Sequence, residues 1–187
     1  VVKGTSANNN TITGCYMGID AQGKSAFPNG ESGIQLSNYS EKTTIGGTNE
    51  SDRNVISGND NYGIKVENSS SNIILGNFVG VDANGTTAIP NGGSPKQFAG
   101  VFISYKSANN IIGNGTSGGR NVLSGNHRTG IRIEYTGADN NVVQGNYIGV
   151  GSDGRRRRGE RRTRPARLPR LHRVGVLQPR FRPALQH

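Results

Sequence analysis

The chain has no tryptophan, one methionine, one cysteine, and aromatic residues at only 6%. The lone Cys15 excludes an internal disulfide, so cysteine usage says nothing about redox compartment. It occupies the place held by Asn77 and Asn146 in equivalent segments and reads as an inert thiol. Apolar residues make up 31%, low for a two-layer domain but enough for a narrow apolar column. No run is long and apolar enough for a membrane span, and no stretch keeps a helical period. Zinc-ligand spacing, a phosphate loop and a catalytic-triad signature are also missing. His127 has no recurring Ser or Cys beside it, and His172 and His187 lie in a divergent tail.

Glycine (29) and asparagine (22) instead exceed a quarter of the chain, and they fall in repeats. Arg53-Asn54-Val55-Ile56-Ser57-Gly58-Asn59 returns 67 residues later as Arg120-Asn121-Val122-Leu123-Ser124-Gly125-Asn126. A second block begins at Asn10, Asn72 and Asn141. A third, Gly followed by apolar-x-apolar, starts at Gly33, Gly63, Gly100 and Gly130, at intervals of 30, 37 and 30 residues. Side chains alternate across a strand, so each triplet is a short strand with one buried face. The Asn, Gly, Ser and Thr clusters between triplets are turns. A fixed period over short strands predicts stacked coils, in which equivalent positions carry equivalent residues. Ile34, Ile64, Val101 and Ile131 then form one buried column, and Leu36, Val66, Ile103 and Ile133 another. Asn54 and Asn121, Asn59 and Asn126, and Asn77 and Asn146 recur in register, as turn formers or as stacked amides that satisfy buried backbone.

These signatures, together with Ile45-Gly46-Gly47 and the Gly-Asn-aromatic-apolar-Gly blocks at Gly76 to Gly80 and Gly145 to Gly149, resemble bacterial secreted or surface proteins with right-handed parallel β-helix repeats of the pectin-lyase-like fold. The resemblance covers roughly residues 8–154. It implies an all-β solenoid of about four to five coils. For activity it implies only a range, from polysaccharide lyases and glycoside hydrolases to adhesins, since a fold does not fix a function. The chain opens on Val1-Val2-Lys3 without a Met or a signal peptide and reads as a fragment of a longer array.

The formal charge of +10 is unevenly spread. Residues 1–154 carry 10 basic and 11 acidic side chains; residues 155–187 carry 12 arginines and Glu160. At Arg155 asparagine stops and Arg and Pro take over, where the earlier copies continue with Pro28-Asn29-Gly30 and Pro90-Asn91-Gly92. The tail reads as an out-of-frame product or as a disordered basic segment. A nucleic-acid partner is disfavoured because it would rest on this tail alone.

Candidate chemistry lies on the outward rows of the repeated strands. Gln35, Lys65, Phe102 and Arg132 form one row, and Ser37, Glu67, Ser104 and Glu134 the next. Glu67 and Glu134 would stand two coils apart, about 9–10 Å, near the upper end for an inverting carboxylate pair. With Arg132 they are the catalytic candidates, against the plainer reading of a solvated strand face with charge pairs. Lys65, Phe102, Tyr105, Arg132 and Tyr135 are the candidate glycan-binding residues, with Tyr39 a further aromatic near a strand end. Asp20 and Asp82, each opening an Asp-x-x-Gly turn, are the candidate ligands for Ca²⁺, the one cofactor considered; an ordinary turn is the simpler account. The expected function is structural presentation or carbohydrate binding outside the cell or in its envelope. A lyase or glycoside hydrolase acting on polysaccharide is the alternative. A polysaccharide or surface glycan is the expected partner, with end-to-end self-association expected of an array cut between repeats.

Overall fold

The computed structural model describes residues 1–93 and 98–155. It is a right-handed parallel β-helix of five coils, each supplying three short strands. The first coil holds β1 (Val2–Lys3), β2 (Thr11–Ile12) and β3 (Tyr16–Met17), and the second β4 (Ile34–Ser37), β5 (Thr44–Gly46) and β6 (Val55–Ile56). The third holds β7 (Ile64–Glu67), β8 (Ile73–Leu75) and β9 (Phe78–Val79). The fourth holds β10 (Val101–Ser104), β11 (Ile111–Ile112) and β12 (Val122–Leu123), and the fifth β13 (Ile131–Glu134), β14 (Val142–Val143) and β15 (Tyr147–Ile148). Stacking gives three five-stranded parallel sheets, running β1-β4-β7-β10-β13, β2-β5-β8-β11-β14 and β3-β6-β9-β12-β15. The expected tail, from residue 156 onward, lies outside the described residues, as does any nucleic-acid contact argued from it. Among the described residues no helix is long and apolar enough to cross a membrane.

The expected columns form. Ile34, Ile64, Val101 and Ile131 are in register along the first sheet, as are Leu36, Val66, Ile103 and Ile133. Ile45, Ile74 and Ile112 from the second sheet and Ile56, Val79 and Leu123 from the third close the core. The last rung differs from expectation. Ile131 is only partly buried and Ile133 is 38% exposed, because among the described residues no strand lies beyond β13 to cover that side of the column.

The corners are held by asparagine. In one ladder the Asn54 Nδ2 donates to Asn77 Oδ1 (2.9 Å), Asn77 to Asn121 (3.1 Å) and Asn121 to Asn146 (2.9 Å). Each accepting oxygen also takes the backbone N–H of the residue donating to it. Cys15 heads this ladder through its backbone N–H, which donates to Asn54 Oδ1. A second ladder runs Asn29, Asn59, Asn91, Asn126, and a third Asn72, Asn110, Asn141. Tight turning at these corners needs left-handed backbone. Gly18, Gly58, Gly80, Gly125 and Gly149 supply it after the third-sheet strands, with φ of 71–88°. A Cβ at Gly80 would run into the Asn126 side chain and the Ser124 carbonyl, so glycine is required there.

The 67-residue spacing is a two-coil period. Odd coils carry the Gly-x-aromatic block and even coils the Arg-Asn block. The two interlock: the Arg53 guanidinium lies 4.3 Å from the Phe78 ring centroid, and Arg120 lies 4.3 Å from that of Tyr147. Each Arg Nε also donates to a corner carbonyl, Gly76 or Gly145. In coils one and three the chain leaving the third sheet folds back through the antiparallel bridges Ile19–Ala26 and Val81–Ala88. These loops cover the outer face of that sheet and make a second apolar cluster of Ile19, Val55, Phe78, Val81, Ile89 and Val122.

Two stability tests follow from this packing. Ile64→Ala should cost about 2–5 kcal/mol and Ile131→Ala distinctly less, measured by urea denaturation. Asn77→Ala takes the acceptor from one Asn54 Nδ2–H and from the buried Asn54 backbone N–H and should cost about 1–3 kcal/mol, although it removes no core methyl group.

Candidate functional site

The outer faces of the sheets are not alike. The third is covered by the fold-back loops, whereas the first opens onto a groove of about 530 Å³. The in-register rows place Gln35, Lys65, Phe102 and Arg132 side by side, with Ser37, Glu67, Ser104 and Glu134 next to them. Glu67 and Glu134 are thus separated by the Ser104 rung, about two strand spacings or 9–10 Å. The groove gathers Lys65, Glu67, Phe102, Arg132 and Glu134 with Tyr105 and Tyr135.

Each carboxylate is paired along its own strand. Lys65 Nζ lies 2.9 Å from Glu67 Oε2. Arg132 donates to Glu134 Oε2 from Nε at 2.7 Å and approaches it with Nη2 at 2.6 Å. The Arg132 guanidinium also lies 5.6 Å from the centroid of the Phe102 ring. The Ser104 hydroxyl and the second Glu134 oxygen, on adjacent rungs, are both shielded and without a hydrogen-bond partner.

Phe102 points outward as its row requires, yet it is only 5% exposed. Tyr62 stacks on it with centroids 4.5 Å apart and planes at 9°, and Phe98 meets Tyr62 edge-on at 4.6 Å. The ring is therefore a covered floor and not an open platform. The open aromatics are Tyr105 and Tyr135, 44% and 53% exposed, stacked with centroids 4.4 Å apart and planes at 1°. Both have left-handed backbone, φ 39° and 74°, at a corner where the preceding coils place Asn38 and Asn68. Tyr39 is also exposed, but it sits one residue past that position and does not line the groove. Burial pushes the Tyr62 phenol up from its ordinary pKa; hydrogen bonding with the Glu134 carboxylate, and then its negative charge, does the same to Tyr135.

Several lining residues come from the segments entering the first sheet and were not picked out from the sequence: Glu31, Ser32, Asn61, Tyr62 and Phe98. The available signal was position, since Ser32 and Tyr62 immediately precede the strand-opening Gly33 and Gly63.

Asp20 and Asp82 lie on the other side of the solenoid, in the stacked fold-back loops. Asp20 Oδ1 accepts the Lys24 N–H at 2.8 Å. Asp82 Oδ1 accepts the N–H groups of Thr86 and Thr87, and its Oδ2 the Thr86 hydroxyl. The loops join through Ala83 N–H to the Gly23 carbonyl and Ser152 N–H to the Gly85 carbonyl. The third copy closes the same turn from Gly154 N–H to the Gly151 carbonyl without an Asp. Both carboxylates are thus engaged within their own loops, and no cluster of three or more acidic, His or Cys side chains able to hold a metal occurs among the described residues.

The sequence matches no family model, no curated protein and no solved structure.

Burial, which alone would raise the Asp82 pKa, is outweighed by the Thr87 and Thr86 hydrogen bonds, and the folded value falls below the ordinary 3.8. A depressed carboxylate stabilises the fold fully above its unfolded pKa, and the contribution fades as pH falls through the folded value. Asp82→Asn should therefore lower stability at neutral pH by about 1 kcal/mol. The gap from the unmodified protein should close below about pH 4, as read from urea midpoints across pH.

Proposed function

We propose that the outer face of the first sheet is a carbohydrate-binding surface, carried by an extracellular or cell-envelope β-helix protein of the pectin-lyase-like kind that the sequence resembles. The observation that carries this reading is the stacked pair Tyr105 and Tyr135. A bulky side chain in left-handed backbone costs of order 1–3 kcal/mol, and such strain concentrates at working sites. Asparagine holds the same corner at positions 38 and 68 without that penalty. Exposed tyrosines retained there, beside a groove with charged hydrogen-bonding groups, suit the apolar face and hydroxyl rim of a sugar ring.

Strain and binding give opposite signs in one experiment. Tyr105→Asn and Tyr135→Asn should leave the melting temperature unchanged or raised, since the backbone strain is relieved. Each should weaken glycan binding tenfold or more, about 1.4 kcal/mol, in calorimetric titration of a ligand found on a glycan array. A destabilised variant with unchanged affinity would make the tyrosines structural.

Glu67 and Glu134 support a second reading, hydrolysis with inversion, because their separation lies near the upper limit for paired carboxylates with a water between them. Release of reducing ends, lost in Glu67→Gln, would favour it. An unsaturated product seen by ultraviolet absorbance would favour a lyase.

A further inference from the structure

Resting on the carbohydrate reading above, the distribution of charge along the groove points to a ligand class: we propose that the site selects uncharged pyranose chains and rejects polyuronates. Both groove-lining cations already have an acidic partner two residues along the same strand. Lys65 is paired with Glu67, and Arg132 is held to Glu134 through two nitrogens while its flat face lies over Phe102. All four side chains keep less than a third of their surface exposed, at 24–29%. A uronate carboxylate that merely shared a cation's spare N–H groups would sit beside the glutamate, like charge against like, and to take the cation over it would have to displace that glutamate. That would leave a partly desolvated carboxylate without its partner, the costly outcome for such a pair.

Among the described residues the remaining charges give the anion no help. Glu31 also lines the groove, its carboxylate accepting the Asn61 amide at 2.7 Å, so among the described residues the lining carries three carboxylates against two cations. Arg128 acts on the Tyr62 phenol from beside the groove and brings the balance only to neutrality. Lys106, next to Tyr105, does not line it.

A pair of neighbouring sugar hydroxyls fits this lining without breaking either ion pair. The Lys65 ammonium has three N–H groups and uses one on Glu67. The oxygen of Glu67 not paired with Lys65 can accept, whereas the second oxygen of Glu134 is shielded from the groove. One hydroxyl then accepts from a cation while its neighbour donates to the carboxylate beside it. The Lys65–Glu67 bridge thus acts as a combined donor and acceptor, and stacking on Tyr105 and Tyr135 adds affinity blind to charge. Selectivity lies in the pairing and not in the number of cations.

The test is calorimetric titration of the full chain at low salt with two sets of oligosaccharides of matched length. One set is neutral, in gluco, xylo and manno configurations; the other comprises oligouronates of galacturonate, glucuronate and mannuronate. The expected result is binding of at least one neutral chain, with every uronate at least tenfold weaker. Glu134→Gln and Glu67→Gln then release Arg132 and Lys65, so the uronate-to-neutral affinity ratio should rise tenfold or more in each variant that keeps the parent circular dichroism spectrum. A uronate bound as tightly as the best neutral chain, or a ratio that moves in neither folded variant, overturns the assignment while leaving carbohydrate binding in place. Failure of both sets, with no hit on a broad glycan array, overturns the carbohydrate reading and this assignment with it.

Discussion

An asparagine amide can accept at one end and donate at the other, and three stacks of such amides hold the corners of this solenoid. Asn77 shows the full pattern. Its oxygen accepts both the backbone N–H and the side-chain N–H of Asn54, while its own nitrogen donates to Asn121 and to the Ile45 carbonyl. The group is buried with its bonding capacity met. Aspartate would lack the donor, and glutamine would overreach the rung. Because each amide must meet the next at hydrogen-bonding distance, the coils cannot drift along the axis. Every other residue is thereby brought into register, and the apolar columns, charge rows and tyrosine stack inherit that spacing.

What the sequence reveals follows from this. The first-sheet columns were legible because β-branched and aliphatic residues recur at fixed offsets from a glycine. The ladders were only half legible. Asn59 and Asn126 are matched by their shared motif, but the rung between them is Asn91, from an unrelated Pro-Asn-Gly context, and Asn29 extends the same ladder. Comparing like motifs reaches two coils away and misses the neighbour in between. At the site, the outward rows and the two-rung separation of Glu67 and Glu134 follow from strand register. Tyr62, Phe98 and Glu31 were not found, because the segments entering the first sheet vary in length, with strand intervals of 30 and 37 residues. The burial of Phe102 was hidden for the same reason, since the ring that covers it comes from such a segment.

The solenoid also keeps most of its stabilising contacts away from the groove. Core columns, ladders and the arginine clamps over Phe78 and Tyr147 lie away from the groove, on the inner faces or at the corners and outer face of the third sheet. The outer face of the first sheet carries, beside the buried Phe102 floor, exposed side chains that contribute less to folding. Its left-handed tyrosines even work against folding, and the rigid ladder beneath them fixes their positions. A preformed surface of this kind loses little conformational freedom when a ligand arrives.

The alternation of coil types has a consequence for how such a chain can change. Each fold-back loop spans the height of two rungs, touching its counterpart two coils away while the intervening coil turns tightly at Gly58 or Gly125. Removing one coil would bring two loops onto adjacent rungs and set aromatic against aromatic where an arginine now lies. Removing two would restore the alternation of loop with tight turn and of aromatic with arginine. The solenoid therefore has parity: duplications and deletions that leave it folded should come in even numbers of coils, and the smallest unit of its evolution is the pair.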